Sequence, residues 1–187
     1  MTDRSTNTRL FWAAAIFVIL LDIVTKELAV RHLSPPHIPH QIIGDVVRFT
    51  LAYNPGAAFS MSLGDKSRYI FGAFAVIALV ILYRLYRASA PTDHARVLAL
   101  ALAWGGAAGN LIDRFRARAS VVDFIDIGVG GWRFWTFNVA DSAVTVGAIL
   151  LALVLWREDS SATEPESDVS AAPPTPPPIE ADRETTV

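Results

Sequence analysis

Five acids (Asp22, Asp113, Asp123, Asp126 and Asp141) and three amides (Asn54, Asn110 and Asn138) stand in or beside the apolar stretches of a 187-residue chain. An ionisable side chain at the centre of a membrane helix costs about 2.5–3.5 kcal/mol, so such residues are rare unless they are used. Two carboxyls brought close together cannot both ionise cheaply, and they share a proton over a useful pH range. One member can then activate water while the other protonates the far side of the reaction. That chemistry hydrolyses a peptide without a covalent intermediate or a metal.

Other chemistries are poorly supplied. The chain has no cysteine, which excludes a thiolate nucleophile, a disulfide and Cys-ligated metal. The histidines His32, His37, His40 and His94 show no HExxH or comparable ligand spacing, so no metal site is expected. Only Lys26 and Lys66 could serve a Ser–Lys dyad, for instance with Ser60, and no spacing recommends it. The turn GVGG is not followed by an acid, so a GxGD pattern is missing.

Each polar residue also has a plain structural reading. Asp22 and Lys26 are four apart, acid first, so they share a helix face and can pair, either as a structural ion pair or to hold other site groups in place. Asn110 and Asp113 are three apart and share a face as well. Asp123 lies in SVVDFIDIG, where strand alternation sets Val121, Asp123 and Ile125 against Val122, Phe124 and Asp126. An acid there is an edge protector or a reagent. Asn138 and Asp141 open an apolar run and can serve a helix N-terminus.

These residues need elements to position them. The chain is 52% hydrophobic and 18% charged, where a soluble domain carries nearer a quarter charged residues. Four apolar stretches, Leu10–Val30, Tyr69–Tyr86, Val97–Ile112 and Val139–Trp156, predict four transmembrane helices. The third is the shortest and reaches full length only by drawing in part of Asp93–Arg96. The first is too long and too charged for a cleaved signal peptide. The segments Val46–Tyr53, SVVDFIDIG and WRFWTFN read as short strands, the last two joined by GVGG. Two long loops thus share one side, and a short loop and both termini share the other. Basic residues around the first helix and in RLYRAS favour cytoplasmic termini.

From Glu158 onward there are eight acids and one base, so the tail carries −7 and the body about +5. Rich in Pro, Ser and acid, residues 158–187 are expected to form a disordered cytoplasmic tail on a membrane domain of residues 1–157.

Five segments together resemble one family: LDIVTKELA at Leu21–Ala29, YNPGAAFS at Tyr53–Ser60, GGAAGNLIDR at Gly105–Arg114, VVDFIDI at Val121–Ile127 and FNVADSAVTVG at Phe137–Gly147. In order and spacing the chain resembles the bacterial lipoprotein signal peptidases, signal peptidase II. The tail lies outside the resemblance. The resemblance implies an inner-membrane aspartyl endopeptidase that cleaves prolipoproteins before a diacylglyceryl-modified cysteine. It implies a catalytic pair at Asp123 and Asp141. Asn54, Asn110, Asp113, Arg114, Asn138 and Ala140 match positions that line or support the site, and Asp22 and Lys26 match a helix-one pair near it. The implied fold is mainly α, four transmembrane helices with a small extracytoplasmic β-cradle made by the two long loops. The implied partners are lipid-modified prolipoproteins and membrane lipid. No cofactor, metal or nucleic acid is expected, and the chain is expected to act as a monomer.

Within that pair, the positive end of a helix favours a carboxylate at Asp141, and the apolar neighbours of Asp123 favour its neutral acid. A transporter would also use membrane acids, but the acids gather at one face and no inverted repeat is visible. A non-catalytic assembly factor, with the acids as structural ion pairs, is the other rival reading.

Overall fold

A computed structural model describes residues 2–55, 66–116 and 120–162. In chain order they form α1 (Thr2–His32), β1 (Pro39–Ile43), β2 (Val47–Asn54), α2 (Ser67–Ala88), α3 (His94–Phe115), β3 (Val121–Val129), β4 (Trp132–Arg133) and α4 (Val139–Ala162).

α3 is the central helix, packed on α1, α2 and α4. Its small residues allow this. A side chain at Gly105 would meet the Ala15 carbonyl oxygen of α1 at 2.9 Å, and one at Gly106 would run into the Ala140 carbonyl oxygen of α4. Hydrocarbon lipid gives helices no hydrophobic reason to associate, so close backbone approach through small residues supplies the contact. The outward faces are apolar, with Phe17, Phe74, Ile149 and Trp156 all exposed. α2, α3 and α4 are each long and apolar enough to cross a membrane. The apolar run of α1 carries Asp22, Lys26 and Glu27.

Two ends of the bundle differ. At one end Phe11, Tyr86, Val97, Leu100 and Ala101 form an apolar core. At the other, Ala29 of α1 and Leu33 just after it pack against Leu51 of β2 and Val122 and Phe124 of β3. A four-stranded antiparallel sheet, β1-β2-β3-β4, therefore sits on the end of α1. β2 and β3 pair Phe49 with Ile125, Ala52 with Asp123 and Asn54 with Val121, with an irregularity between Phe49 and Ala52. Gly130 turns the β3–β4 hairpin at φ +58°, a conformation that favours glycine.

The strands differ in detail from the expectation. β1 was not anticipated. Of WRFWTFN only Trp132–Arg133 is a strand, with Phe137 adding a single bridge to Ile125. At the start of α3, residues 94–96 do extend the span, and Asp93 stops short of it. It caps the helix, its carboxylate accepting from the Arg96 backbone N–H at 3.1 Å. α4 continues to Ala162, past the 157/158 boundary, and Glu158 reaches back to pair with Arg96. The tail beyond residue 162 lies outside the described residues.

Candidate active site

The site is assembled where β3 meets the first turn of α4. Asn138 is the residue before that helix, and its side-chain oxygen accepts from the Asp141 backbone N–H at 2.9 Å. The Asp141 carboxylate reciprocates, its Oδ2 accepting from the Asn138 backbone N–H at 3.2 Å. This is a capping box with aspartate in the place usually taken by glutamate. Both structural roles considered for Asn138 and Asp141 are therefore present, and neither uses up the side chains. Asp141 Oδ1 also accepts from Asn110 Nδ2 at 2.7 Å. The Asn138 amide, fully buried, donates to Asp123 Oδ1 at 2.7 Å and to the Val122 carbonyl at 3.2 Å. One asparagine thus ties the helix that carries Asp141 to the strand that carries Asp123.

Behind this layer lies a buried ionic cluster. Lys26 Nζ stands 2.7 Å from Asp22 Oδ2, 2.8 Å from Asp113 Oδ2 and 3.0 Å from Asn110 Oδ1. The anticipated Asp22–Lys26 pair is formed, and it holds other groups. Asp22 Oδ1 accepts from the Ala140 backbone N–H at 3.0 Å, one residue before Asp141. Asp113 Oδ2 accepts from the Val122 N–H at 3.3 Å, one residue before Asp123. The cluster so fixes the backbone beside both acids. Gly109 gives Asp22 its room, since a Cβ there would stand 2.6 Å from Asp22 Oδ2.

In front of the cluster opens a cleft of about 630 Å³. Asn54, Asn110, Arg114, Asp123 and Asp141 form its polar side, and Val121, Phe134, Trp135, Phe137, Val144 and Val146 its apolar side. Asp123 is 3% exposed, and among the described residues its second oxygen receives a long contact, 3.4 Å, from Asn54 Nδ2. Burial, and next the charge of Asp141, pushes the Asp123 carboxyl up from 3.8 to about 7. The Arg114 guanidinium lies in the field of Asp141, Asp113 and Asp123 and donates to the Asn110 carbonyl at 2.8 Å.

All ten residues singled out from sequence fall in this region. Asn54, Asn110, Arg114, Asp123 and Asp141 line the cleft, and Asp22, Lys26, Asp113, Asn138 and Ala140 lie behind it. Asp126, which the sequence groups with them, does not. It is held on the sheet by Arg48 at 3.3 Å, Thr50 at 3.0 Å and Arg133 at 2.7 Å. Two arginines on the long-loop side are thus accounted for by one buried acid. Of YNPGAAFS only Tyr53–Pro55 is described, so Ser60 lies outside the described residues. The aromatic wall of Phe134, Trp135 and Phe137 reads in the sequence only as strand, and its closeness to Asn138 is the available signal.

Fold and site together define a class, a helical membrane protein with two carboxyls facing one cleft at the end of its bundle. Comparison with known proteins narrows it. The family model for signal peptidase (SPase) II matches residues 14–157. A lipoprotein signal peptidase of Photorhabdus laumondii is 41% identical over 157 residues, covering 80% of this chain and 88% of the relative. One from Coxiella burnetii is 43% identical over 150 residues, covering 79% and 90%. A bacterial membrane enzyme solved by the in meso method at 2.3 Å superposes with a TM-score of 0.71 at 30% identity, covering 84% of this chain and 94% of that one. The chain belongs to the signal peptidase II family.

Proposed function

We propose that this chain is an aspartyl endopeptidase that removes signal peptides from diacylglyceryl-modified prolipoproteins, cutting before the lipidated cysteine with water activated between Asp123 and Asp141. The reading is supported by membership of the family and by relatives named lipoprotein signal peptidase. The observation that carries it is the amide bridge. Asn138 and Asn110 hold two carboxyls over one cleft, and one of them titrates at about 7.

The two acids take different parts. Asp141 accepts a hydrogen bond on each oxygen, a pattern a carboxylate satisfies, and acts as the base. Asp123 enters as the neutral acid. Its Oδ1 is engaged by Asn138, so its proton sits on Oδ2, where the Asn54 contact is long. Water attacks the scissile carbonyl carbon and gives its proton to Asp141, while Asp123 protonates the carbonyl oxygen. The tetrahedral diol then collapses. The C–N bond breaks, the leaving nitrogen takes the proton from Asp141, and a diol hydroxyl returns one to Asp123. Arg114 steadies the negative charge that moves through the site.

The apolar wall suits the substrate. Val144 and Val146 lie on α4 and Phe134 and Trp135 on the segment before it, so acyl chains remain in lipid while the peptide crosses the two acids. In this reading α1 is the fourth span, both termini are cytoplasmic, and the sheet and cleft lie near the extracytoplasmic face of the inner membrane. The protein acts as a monomer, and residues beyond the α4 helix form a cytoplasmic tail.

The test is cleavage of a purified diacylglyceryl-modified prolipoprotein, read as a gel shift, by wild type, Asp123→Asn and Asp141→Asn. Loss in both variants, with thermal unfolding still cooperative, is the expected result. Full activity in either variant would remove that residue from the chemistry.

A further inference from the structure

The β3–β4 hairpin and the segment after it carry much of the cleft's apolar wall on little backbone pairing. β4 is an edge strand of two residues, Trp132 and Arg133, paired with Val129 and Gly128 of β3. Beyond it the Phe134 and Phe137 N–H groups donate to the Ile127 and Ile125 carbonyls at 2.8 and 3.0 Å. So short a strand is marginal by itself, and sheet edges are where local opening starts. Yet Phe134, Trp135 and Phe137 form one side of a cleft whose other side holds Asp123 and Asp141.

Side chains supply the missing grip. The register sets Arg133 opposite Gly128, and alternation puts Gly128 and Asp126 on one face of β3. Arg133 therefore reaches diagonally across Gly128 to Asp126. A Cβ at Gly128 would stand 2.6 Å from Arg133 Cδ and 2.8 Å from its Nε, so glycine keeps that path open. Arg133 Nε donates to Asp126 Oδ1 at 2.9 Å, and Nη2 stands 2.7 Å from the same oxygen and donates to the Asp126 carbonyl at 3.1 Å. Nη1 donates to the Asp45 carbonyl between β1 and β2. The anchor is firm, because Asp126 is buried and its other oxygen accepts from Arg48 and Thr50 of β2. One guanidinium thus ties the edge hairpin to β3 and to the β1–β2 turn. The residue after it, Phe134, lies in the cleft wall.

We propose that Arg133, anchored on Asp126, is a positioning residue that holds the aromatic wall of Phe134 and Trp135 at the distance from the two acids that the substrate peptide requires. Asp126 lies on the face of β3 opposite Asp123, so the pair acts through its neighbours. Asp123 and Asp141 are held separately, by Asn138 and Asn110. The wall therefore sets peptide binding and leaves the chemistry to the acids. The inference rests on the peptidase reading above.

Steady-state cleavage of diacylglyceryl-modified prolipoprotein by the full chain in detergent tests it. Arg133→Gln should raise KM about tenfold, with kcat within about twofold of wild type and the pH profile unmoved. Arg133→Lys keeps the charge and loses the fork, so its KM should fall between the two. Gly128→Ala displaces the arginine without removing its charge, and it should raise KM as well. Arg31→Gln, which removes an exposed arginine paired with Glu27, should change neither constant. An unchanged KM in Arg133→Gln or in Gly128→Ala, or a fall in kcat alone, would overturn the proposal whatever happens to Tm. Hydrogen exchange at single amides, read without substrate, is the second measurement. The Phe134 amide should exchange about tenfold faster in Arg133→Gln, or in Arg133→Lys should the first variant fail to fold, while the Ala140 amide, bonded to Asp22, keeps its wild-type rate. No change at Phe134, or an equal change at both amides, would overturn the clamp. A wild type that cleaves nothing would strike the peptidase reading, and the exchange rates would still decide the clamp.

Discussion

Replacing Asp123 with asparagine separates what this carboxyl does from what it costs the fold. The group is 3% exposed, and its pKa rises from 3.8 to about 7 through burial and then the charge of Asp141. Between those values the folded protein keeps a proton that the unfolded chain has released. Stability from this source is therefore complete at low pH, falls as pH rises past the unfolded value, and is fully lost once pH passes the folded value near 7. The loss across that window is about 4 kcal/mol, or about 10 °C in Tm for a chain of this size. Asparagine keeps the shape. Its oxygen still accepts from Asn138, now at 2.7 Å, and among the described residues the 3.4 Å contact with Asn54 is the one forfeited. Thermal unfolding followed by tryptophan fluorescence between about pH 4 and about pH 8 should show wild type losing about 10 °C more than Asp123→Asn. The same samples should show the variant inactive on lipidated prolipoprotein. Parallel stability curves would refute the raised pKa, and retained cleavage would refute the role.

If Asp123 must be neutral, kcat/KM should fall about tenfold from pH 6 to pH 8 as it ionises, and a flat profile would contradict the assignment. Lys26→Met should cost about 3–5 kcal/mol, because Asp22 and Asp113 stay buried without their shared cation. Adding Asp113→Asn should recover part of that loss in the same unfolding assay, and no recovery would argue against the shared cation. Gly106→Ala would set a methyl against the Ala140 carbonyl oxygen, a backbone atom that cannot swing away. About 1–3 kcal/mol should be lost on unfolding, and cleavage should fall because Asp141 is the next residue. Asn54→Ala should lower turnover while the protein stays folded, since the side chain faces the cleft beside Asp123. Equal turnover would take it out of the site.

The elements were legible wherever physics is local. Lipid requires continuous apolar sequence, so the runs at Leu10, Tyr69, Val97 and Val139 mark α1 to α4 to within a few residues at most ends. The near end of α1, at Thr2 and not Leu10, and the far end of α4 lie outside the apolar runs because their outer turns are polar and helix continues through them. The Asp22–Lys26 pair was legible because four residues is one helical turn. Strand alternation likewise put Asp126 on the face away from Asp123. β1 and the single bridge at Phe137 were not legible, since short edge pairings depend on the neighbouring strand more than on their own sequence.

By itself, then, the sequence determined a membrane chain rich in one-sided acids and amides, and through its motifs a resemblance. Tertiary structure decided which of them meet. Lys26 reaches Asp113 only because α1 lies close on α3, as Gly105 and Gly109 permit. Asn138 joins Asp123 to Asp141 only because β3 runs beside the first turn of α4. Arg48 and Arg133 claim Asp126 only through the sheet register. Local patterns follow from the periodicity of one element, but a site is set by the distance between elements, and no single segment encodes that.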